Sequence, residues 1–483
     1  MLTEGVKKGL KEIVGEANAT FKKEDLLCYS YDATNTLHLP EAVVFPSGPE
    51  EVSLILKMAN SEGFPVTPRG AGTGFTGGSV PVDGGVVVSL ERMKRIIEVD
   101  EENLVAVVEP GVVLWEFQEE VEGRGLFYPP DPTSLKFSTI GGNIAECAGG
   151  PRAVKYGVTR DYVLGLEAVL PQGEIITTGV RTVKGVVGYD LTRLLVGSEG
   201  TLGIITKAAL RLIPLPETTK TMLALFPSLK DAAVTVSAII RSRVVPSTLE
   251  IMDSVSLRCA EEYARTGLPL SEALLLIEVD GTLESAAREA GTIKRICLEN
   301  GAAEVREAAD KKEAKNLWKA RRAVSASLFR IKPDKINEDV VVPRSGVPAL
   351  IEGIQEIGRR KDLTIASFGH AGDGNIHVNV MYDGKDASES EKAFEAVEEV
   401  FELTLRLKGT ISGEHGIGIT KSRYLGMELS PDVIDAMKRI KSALDPKGVL
   451  NPGKIFPGEK YLKAARGGGG GAKEAPLHGR DYL

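Results

Sequence analysis

Three glycine-rich segments in the N-terminal half of the chain limit most strongly what it can fold into. The first, residues 68–79, reads PRGAGTGFTGGS and contains the G-x-G-x-x-G string of a Rossmann dinucleotide loop at residues 72–77. A Rossmann loop opens a helix, whereas here Pro81 and two further glycines lead into a predicted strand over residues 86–88. The segment is therefore interpreted as a loop whose backbone N–H groups can surround a diphosphate, with Arg69 as a nearby cation.

The other two glycine-rich segments, residues 138–150 and residues 197–205, follow within the same predicted domain. The first loop alone could also be a set of ordinary turns in a β-rich domain. Three such segments in one domain favour a single large ligand that they enclose together.

Hydrophobic periodicity divides the chain into two α+β units and a short helical segment. In the first unit it predicts a helix around residues 10–14, a βαβ unit (strand 42–45, helix from about residue 49, strand 65–67) and strands at 85–90, 104–108, 163–170, 174–178 and 203–212. In the second unit it predicts strands such as 273–279 and 376–381 and helices such as 283–299. A last helix is predicted over residues 431–444, before a run of glycines at 467–471.

These patterns give five predicted regions. They are an N-terminal helical segment (1–38), a first α+β domain (39–215), a second α+β domain (216–420), a helical segment that packs back on the first domain (421–460) and a flexible tail (461–483).

Two short motifs in the second unit hold three of the five histidines. In residues 369–379, GHAGDGNIHVN, three glycines are incompatible with a stable helix, so a strand, a tight turn and a second strand are predicted to bring His370 towards His377. In residues 412–418, SGEHGIG, Glu414 precedes His415. Each histidine alone is more often a hydrogen-bonded structural residue. Together, two histidines and a carboxylate form a metal-binding set that leaves positions open for a chelating substrate.

Composition restricts the partners and the compartment. The chain has 483 residues and a net charge of −8 with no basic stretch, which argues against nucleic acid. Its four cysteines include no C-x-x-C pair, which argues against an iron–sulfur cluster or a zinc knuckle and indicates a reducing compartment. The N-terminus lacks a signal-peptide core, and no apolar run reaches transmembrane length. We expect a cytoplasmic protein, and docking on a membrane-bound partner stays open.

Residues 39–213 resemble the FAD domain of the vanillyl-alcohol-oxidase (PCMH-type) flavoproteins. The resemblance implies that residues 69–74 hold the pyrophosphate with Ser79, that residues 132–134 and 139–143 line the flavin, and that residues 197–205 enclose the adenine and ribose. The implied FAD-binding residues are Arg69, Gly70, Ala71, Gly72, Thr73, Gly74, Ser79, Pro132, Thr133, Ser134, Thr139, Gly141, Gly142, Asn143, Gly149, Gly150, Gly157, Glu199, Gly200, Gly203, Ile204, Ile205 and Asn451.

Two details qualify this resemblance. No histidine lies in a glycine-rich segment, so FAD is expected to be bound non-covalently. Cys147 stands where similar sequences often carry asparagine, which leaves one contact near the cofactor open.

From about residue 34 to residue 457, the motifs H-x-x-G-D-G-N-x-H-x-N and G-E-H-G are similar to those of FAD-linked D-lactate, glycolate and D-2-hydroxyglutarate dehydrogenases. The resemblance implies an α+β fold in which a PCMH-type FAD domain is followed by an α+β substrate (cap) domain and a C-terminal helical segment. The implied metal ligands are His370, His377 and Glu414, the implied base is His415, and the implied substrate-binding residues are Arg321 (of W-x-x-R), Ser325 and Asn379. Lys335 matches a further family lysine only approximately.

These features predict an FAD- and metal-dependent dehydrogenase of D-2-hydroxy acids, with D-lactate or glycolate favoured over D-2-hydroxyglutarate or longer acids. His415 would take the hydroxyl proton while hydride passes to the flavin. The metal could be zinc, manganese or iron. Electrons would pass to an external acceptor, which could be an electron-transfer flavoprotein, a quinone or cytochrome, or an iron–sulfur partner subunit; a homodimer is left open. A metal-dependent hydrolase and a non-catalytic flavoprotein subunit remain as alternatives.

Overall fold

The computed structural model describes residues 1–34 and 36–456, which form two α+β units and a C-terminal helical segment. The strands of the first unit are β1 (Ala19–Thr20), β2 (Ala42–Val44), β3 (Val66–Arg69), β4 (Val86–Ser89), β5 (Ile96–Asp100), β6 (Val105–Val108), β7 (Leu126–Phe127), β8 (Val163–Val169), β9 (Ile175–Gly179), β10 (Ile204–Arg211) and β11 (Ile213–Pro214). Its helices are α1 (Glu4–Val14), α2 (Lys23–Cys28), α3 (Pro49–Glu62), α4 (Leu114–Glu122), α5 (Ile140–Glu146), α6 (Ala153–Tyr156) and α7 (Leu191–Leu195).

Two sheets form the frame of the first unit. One has the order β1-β2-β4-β3, in which β2 and β3 pair with β4 in parallel, and the other is antiparallel with the order β5-β6-β10-β8-β9. Helix α3 makes the crossover that parallel strands require. Its side chains Val52, Ile55, Leu56 and Ala59 form the expected apolar stripe and are fully buried. As predicted, the loop after β3 leads into strand β4 and opens no helix.

Helix α5 is an element that the glycine content concealed. The glycine content of residues 138–150 predicts a loop, because glycine weakens helices, but residues 140–146 are helical. The Oγ1 atom of Thr139 accepts a hydrogen bond of 3.3 Å from the N–H of Gly142 and caps the helix. Gly141 packs so closely against Pro110 that a Cβ atom would lie 2.5 Å from the proline ring. Close packing therefore explains the glycine inside the helix.

The second unit is one antiparallel sheet of seven strands, with helices packed on it. Its strands are β12 (Thr218–Phe226), β13 (Thr248–Asp253), β14 (Ala273–Gly281), β15 (Glu304–Glu307), β16 (Asp334–Val341), β17 (Ile365–His370) and β18 (Asn375–Tyr382), in the order β15-β12-β14-β13-β17-β18-β16. Its helices are α8 (Leu229–Arg241), α9 (Ser254–Ala264), α10 (Leu283–Glu299), α11 (Lys311–Ser327), α12 (Val347–Lys361) and α13 (Ala387–Arg406). The predicted strand, turn and strand around the two histidines are β17, the turn after it and β18.

The C-terminal segment returns to the first unit. It contains helices α14 (Leu425–Glu428) and α15 (Pro431–Leu444), and then continues alongside β3. There the N–H of Val66 donates to the carbonyl of Val449 at 2.8 Å, and the N–H of Asn451 donates to the carbonyl of Val66 at 2.7 Å. The segment thus adds hydrogen bonds to the edge of the β1-β2-β4-β3 sheet. The predicted tail, 461–483, lies outside the described residues.

Among the described residues, no helix is long and apolar enough to cross a membrane.

Candidate active site

One continuous cavity runs between the two units and joins the predicted cofactor residues to the predicted substrate residues. From the first unit it is lined by Arg69, Gly70, Ala71, Gly72, Thr73, Gly74, Ser79, Pro132, Thr133, Ser134, Thr139, Gly141, Gly142, Asn143, Gly149, Glu199, Gly200, Gly203, Ile204 and Ile205, all of them predicted FAD-binding positions. From the second unit and the segment after it, the predicted residues Arg321, Ser325, His377, Glu414 and His415 line the same cavity.

Three predicted cofactor residues lie outside the cavity wall and support it from behind. Gly150 packs against the backbone of Asp131, where a Cβ atom would lie 2.6 Å from the carbonyl oxygen. Gly157 ends helix α6 with a φ of 82°, a conformation that glycine adopts readily. The side-chain amide of Asn451 donates to the carbonyls of Gly78 at 2.9 Å and Glu199 at 2.8 Å, so it ties the first glycine loop to the third.

The cavity fits a large polar cofactor. The side-chain atoms Ser138 Oγ, Asn143 Nδ2 and Glu146 Oε2 belong to cavity-lining residues, are buried, and have no hydrogen-bond partner within the described residues. Buried polar atoms normally have partners, so these atoms are suited to a bound polar ligand. The guanidinium of Arg69 lies beneath the first loop, 3.3 Å from the hydroxyl of Ser79, and is available to a diphosphate.

The three predicted metal ligands meet at one point between the units. His370 Nε2 lies 3.2 Å from Glu414 Oε1 and 3.4 Å from His377 Nε2, and His377 Nε2 lies 3.5 Å from Glu414 Oε1. A triangle of this size has its centre about 2.0 Å from each corner, which is the bond length that zinc makes to imidazole nitrogen and carboxylate oxygen. The donor set and its spacing therefore fit a divalent cation.

Glu250 is a functional residue that the sequence analysis missed. It lies on β13, is fully buried, and accepts a hydrogen bond of 2.6 Å from His370 Nδ1. Because Nδ1 carries the proton, Nε2 is left free to bind a cation. Burial acts to raise the pKa of Glu250, but His370 and Arg321 outweigh it and lower the pKa to about 2. Glu250 has no motif around it, and only the pairing of β13 with β17 brings it to the site.

The electrostatic environments of His370 and Glu414 favour positive charge at this point, whereas burial and the nearby His370 lower the pKa of His377 to about 3. Burial by itself would lower the pKa of His370, but the carboxylates of Glu250 and Glu414 raise it well above its usual value. For Glu414, burial acts to raise the pKa and is outweighed by His370 and His377, which lower the pKa to about 2. Both carboxylates are therefore ionised at neutral pH, and they can balance the charge of a bound cation.

His415 lies beside the metal ligands and faces the cavity. Its ring stacks against Phe75, with ring centres 5.0 Å apart, and against His377 at 5.4 Å. Its Nδ1 atom lies 3.3 Å from a carboxylate oxygen of Asp339. Burial lowers the pKa of His415 although Asp339 acts to raise it, so the imidazole is suited to remain neutral and accept a proton.

Asp339 is a second residue that the sequence analysis missed. This fully buried carboxylate on β16 accepts hydrogen bonds from the N–H groups of Gly413 at 2.7 Å, Glu414 at 2.6 Å and His415 at 3.2 Å. Lys421, which is also buried, donates to it at 2.5 Å. Asp339 thereby fixes the backbone of Glu414, a predicted metal ligand, and of His415, the predicted base.

The predicted substrate residues occupy different positions around the cavity. Arg321 lines it, but its guanidinium is also bound to Glu250, with Nε and Nη2 at 2.7 and 2.6 Å from Oε2. Ser325 lies one turn further along α11 on the same face and lines the cavity, as predicted from the spacing. Asn379 is fully buried on β18 and is not among the residues that line the cavity.

Two more polar residues line the substrate side of the cavity, and Lys335 contacts a residue that lines it. Arg322 and Asn337 line it directly, and neither was singled out from the sequence. Lys335 donates hydrogen bonds of 2.7 Å to both the hydroxyl and the carbonyl of Ser325. Burial lowers the pKa of Lys335 to about 8. This side of the cavity is therefore cationic and suited to a carboxylate.

Comparisons with known proteins agree with the two units of the structure. Residues 40–179 match a family described as "FAD binding domain", and residues 215–455 match one described as "FAD linked oxidases, C-terminal domain". The chain is 48% identical to glycolate oxidase subunit GlcD of Bacillus subtilis (strain 168), over 94% of this chain and 97% of that protein. It is 36% identical to a D-lactate dehydrogenase of Anaerostipes hadrus, over 91% of this chain and 93% of that protein.

Solved structures show the same fold at lower sequence similarity. A p-cresol methylhydroxylase with bound substrate superposes with a TM-score of 0.79 at 18% identity and covers 94% of this chain and 98% of its own. A 4-ethylphenol oxidase of Gulosibacter chungangensis superposes with a TM-score of 0.76 at 21% identity, over 94% of this chain and 97% of its own. Fold and family match together define an FAD-linked oxidoreductase with a PCMH-type FAD-binding domain. Within this class, the chain belongs to the family of FAD-linked D-2-hydroxy acid dehydrogenases.

Membership in this family favours a dehydrogenase over the metal-dependent hydrolase that the sequence analysis left as an alternative. The glycine loops belong to an FAD-binding domain, so a metal-dependent hydrolase that uses them for a substrate phosphate is not supported. The chain oxidises a hydroxy acid with FAD as cofactor.

Proposed function

We propose that the chain is an FAD- and divalent-metal-dependent dehydrogenase that oxidises D-lactate or glycolate to the 2-oxo acid and passes the electrons to an external acceptor. The observation that carries the proposal is the single cavity in which His377, Glu414 and His415 face the FAD-binding loops. The relatives named glycolate oxidase subunit and D-lactate dehydrogenase support this choice of substrate.

In the proposed reaction, the cavity residues bind and orient the substrate and accept its proton. Arg321 and Arg322 line the cavity, attract the substrate carboxylate and orient the molecule, and Lys335 holds Ser325 beside them. When bound, FAD supplies a hydride acceptor and the divalent cation lowers the pKa of the substrate hydroxyl. His415 accepts the hydroxyl proton, and Asp339 beside its Nδ1 stabilises the resulting imidazolium.

A 2-hydroxy acid with a second polar group is the alternative substrate. The cationic groups lie on one side of the cavity, and D-2-hydroxyglutarate or a longer acid is the second candidate because its additional polar group could use Lys335 and Ser325. A non-catalytic flavoprotein subunit would have no use for His415 next to three cation ligands.

An external acceptor is part of the proposal because the described residues contain no group of cysteines that could hold an iron–sulfur cluster. An electron-transfer flavoprotein, a quinone or cytochrome, or an iron–sulfur partner subunit would serve.

Anaerobic mixing of the purified protein with separate 2-hydroxy acids tests the proposal. We expect D-lactate or glycolate to bleach the flavin absorbance and L-lactate to leave it unchanged over the same time. The metal requirement is tested by repeating the experiment after dialysis against a chelator and again after addition of Zn²⁺, Mn²⁺ or Fe²⁺. If no 2-hydroxy acid bleaches the flavin with metal supplied, the proposal is wrong.

A further inference from the structure

Residues 412–420 form a strap that carries Glu414 and His415 and is bound by both units. From the second unit, Asp339 accepts hydrogen bonds from the backbone N–H groups of residues 413–415. From the first unit, the carboxylate of Glu199 accepts hydrogen bonds from the N–H groups of Ile417 at 2.8 Å and Gly418 at 2.7 Å. Two buried carboxylates from different units therefore hold successive parts of the same strap.

The first glycine loop holds the strap as well. The hydroxyl of Thr76 donates to the carbonyl of His415 at 3.2 Å, and the N–H of Ile419 donates to the carbonyl of Thr76 at 2.7 Å. The side chain of Ile419 lies against Gly77, which has a φ of 80°. The contacts of the strap with the first unit are thus made by the same loops that line the cofactor cavity.

Glu199 itself is held in a fixed and costly backbone conformation. Its φ is 51°, a left-handed conformation that costs a non-glycine residue about 1 kcal/mol or more. Its N–H donates to the carbonyl of Ala145 in α5 at 2.8 Å, and its carbonyl accepts from Asn451 at 2.8 Å. The side chain of Glu199, which is one of the residues that line the cavity, is thereby held with its carboxylate against the strap.

Gly416 shows how closely the strap approaches this side chain. A Cβ atom on Gly416 would lie 2.9 Å from Oε1 of Glu199 and 2.7 Å from Oε2 of Glu146, and its φ of 82° is left-handed. Only glycine fits between the two carboxyl groups. The hydrogen bonds from Ile417 and Gly418 therefore depend on direct backbone contact.

We propose that Glu199 is a positioning residue that couples the cofactor loops to the metal ligand Glu414 and the base His415 by holding the N–H groups of Ile417 and Gly418. The roles of Glu414 and His415 in this inference rest on the proposed function. The two hydrogen bonds from Ile417 and Gly418 to Glu199, which we call the clamp, are observed in the structure and do not depend on the proposed function. Because linkage is reciprocal, order in the strap and occupancy of the cofactor loops should support each other.

Substitutions of Glu199 distinguish the proposed role, in which it holds the strap, from a general role in stabilising the fold. In Glu199→Ala both acceptors are lost, whereas in Glu199→Gln one oxygen remains to accept a hydrogen bond and the amide NH₂ opposes the other N–H. Glu109→Gln is a matched control, because Glu109 is a buried carboxylate of the same unit that pairs with Arg95 at 2.7 Å and does not contact the strap.

The direct measurement is backbone hydrogen exchange in a peptide that covers the strap of the FAD-bound protein. We expect exchange at Ile417 and Gly418 to be faster by about tenfold or more in Glu199→Ala, with a smaller increase in Glu199→Gln and none in Glu109→Gln. Exchange at residues 413–415 should rise as well, because only Asp339 and Thr76 would then hold the strap.

The functional measurement is the rate of anaerobic flavin reduction at saturating substrate. We expect this rate to fall by about 100-fold in Glu199→Ala, with KM changed by less than about threefold and with the flavin still bound. The rate of flavin reduction in Glu199→Gln should lie between the rates of the wild type and of Glu199→Ala. This split between the maximal rate and KM distinguishes displacement of Glu414 and His415 from a loss of substrate binding.

The outcomes separate the inference from the proposed function. Unchanged strap exchange in Glu199→Ala, or loss of FAD from Glu199→Gln, would overturn the clamp whatever the substrate is. If strap exchange changes as expected but no 2-hydroxy acid reduces the wild-type flavin, the clamp stands and the proposed function is wrong.

Discussion

The Nδ1 atom of His370 donates a hydrogen bond of 2.6 Å to Oε1 of Glu250, and both side chains are almost fully buried. The bond selects the tautomer of His370 in which Nε2 is free, and Nε2 is the atom that faces Glu414 and His377. A residue without any sequence motif thus determines which atom of a motif histidine can bind a cation.

Replacing Glu250 with glutamine should weaken the metal site. The amide can still accept a hydrogen bond from His370, but the negative charge that raises its basicity is lost, so we expect metal affinity to fall by about 10- to 100-fold. Titration of the protein with Zn²⁺ against a competing chelator measures the change. Glu109→Gln, which removes the charge of a buried carboxylate that pairs with the exposed Arg95, should leave the affinity unchanged. Equal affinities in the Glu250→Gln variant and the wild type would show that Glu250 does not orient a ligand.

Replacing His415 with asparagine should slow flavin reduction without removing FAD. A positioned general base contributes about 10²- to 10⁴-fold to the rate, so we expect a loss of that size at saturating substrate. Stopped-flow absorbance under anaerobic conditions measures the rate, and the flavin spectrum before mixing reports cofactor content. A variant that is reduced as fast as the wild type would exclude His415 as the base.

The pH dependence of stability should reveal the buried carboxyl group of Glu146. Burial raises its pKa well above the ordinary value of 4.5, Glu199 and Asp32 raise it further, and Lys454 partly opposes them. The folded protein therefore keeps this proton at pH values where the unfolded chain has lost it, so the contribution of Glu146 to the stability of the wild type falls as pH rises above 4.5. Glutamine resembles the protonated acid and removes this loss.

The expected result is that the Tm of Glu146→Gln minus the Tm of the wild type grows between pH 5 and pH 8, by about 1–3 °C. Differential scanning calorimetry of the FAD-bound proteins measures it, and Glu167→Gln, a carboxylate in β8 that pairs with Lys207, serves as the control. A difference in Tm that is constant across this range would show that Glu146 is ionised in the folded protein.

Two glycine-to-alanine substitutions should have opposite effects. Gly374 has a φ of 94° in the turn between β17 and β18, and a Cβ atom there would collide with the carbonyl of Val342. We expect Gly374→Ala to lower Tm and to weaken metal binding, because the turn brings His370 and His377 together. Gly291 lies within α10 with open space around it, so Gly291→Ala should stabilise by about 0.5–1 kcal/mol. Chemical denaturation and Zn²⁺ titration of both variants test the pair.

The motif residues of the candidate site could be identified from the sequence, but the residues that position them could not. His370, His377, Glu414 and His415 could be singled out because glycines frame them and the chain has few histidines. Glu250 and Asp339 could not, because each is an ordinary acidic residue of a β-strand whose role arises from strand pairing across the sheet. Helix α5 was missed since its glycines suggest a loop and only its packing against Pro110 explains them.

The FAD-binding positions could likewise be predicted from the sequence only in part. Backbone-rich loops are recognisable from glycine content and family resemblance, and most of the predicted positions line the cavity. Whether a residue faces the ligand or lies behind the loop depends on tertiary contacts. Asn451 illustrates this, since it joins two loops from behind and does not reach the cavity.

The return of the chain end to the first unit has a consequence for the order of events during synthesis. Asn451 and Lys454 bind the carbonyls of Gly78, Glu199 and Val80, and so complete loops that were translated at least 250 residues earlier. At roughly 5–20 residues per second, the ribosome needs on the order of ten to fifty seconds to add that length. During this time the nascent first unit lacks the hydrogen bonds that Asn451 and Lys454 make to its cofactor loops. It can therefore bind FAD in the final loop geometry only after nearly the whole chain has been synthesised.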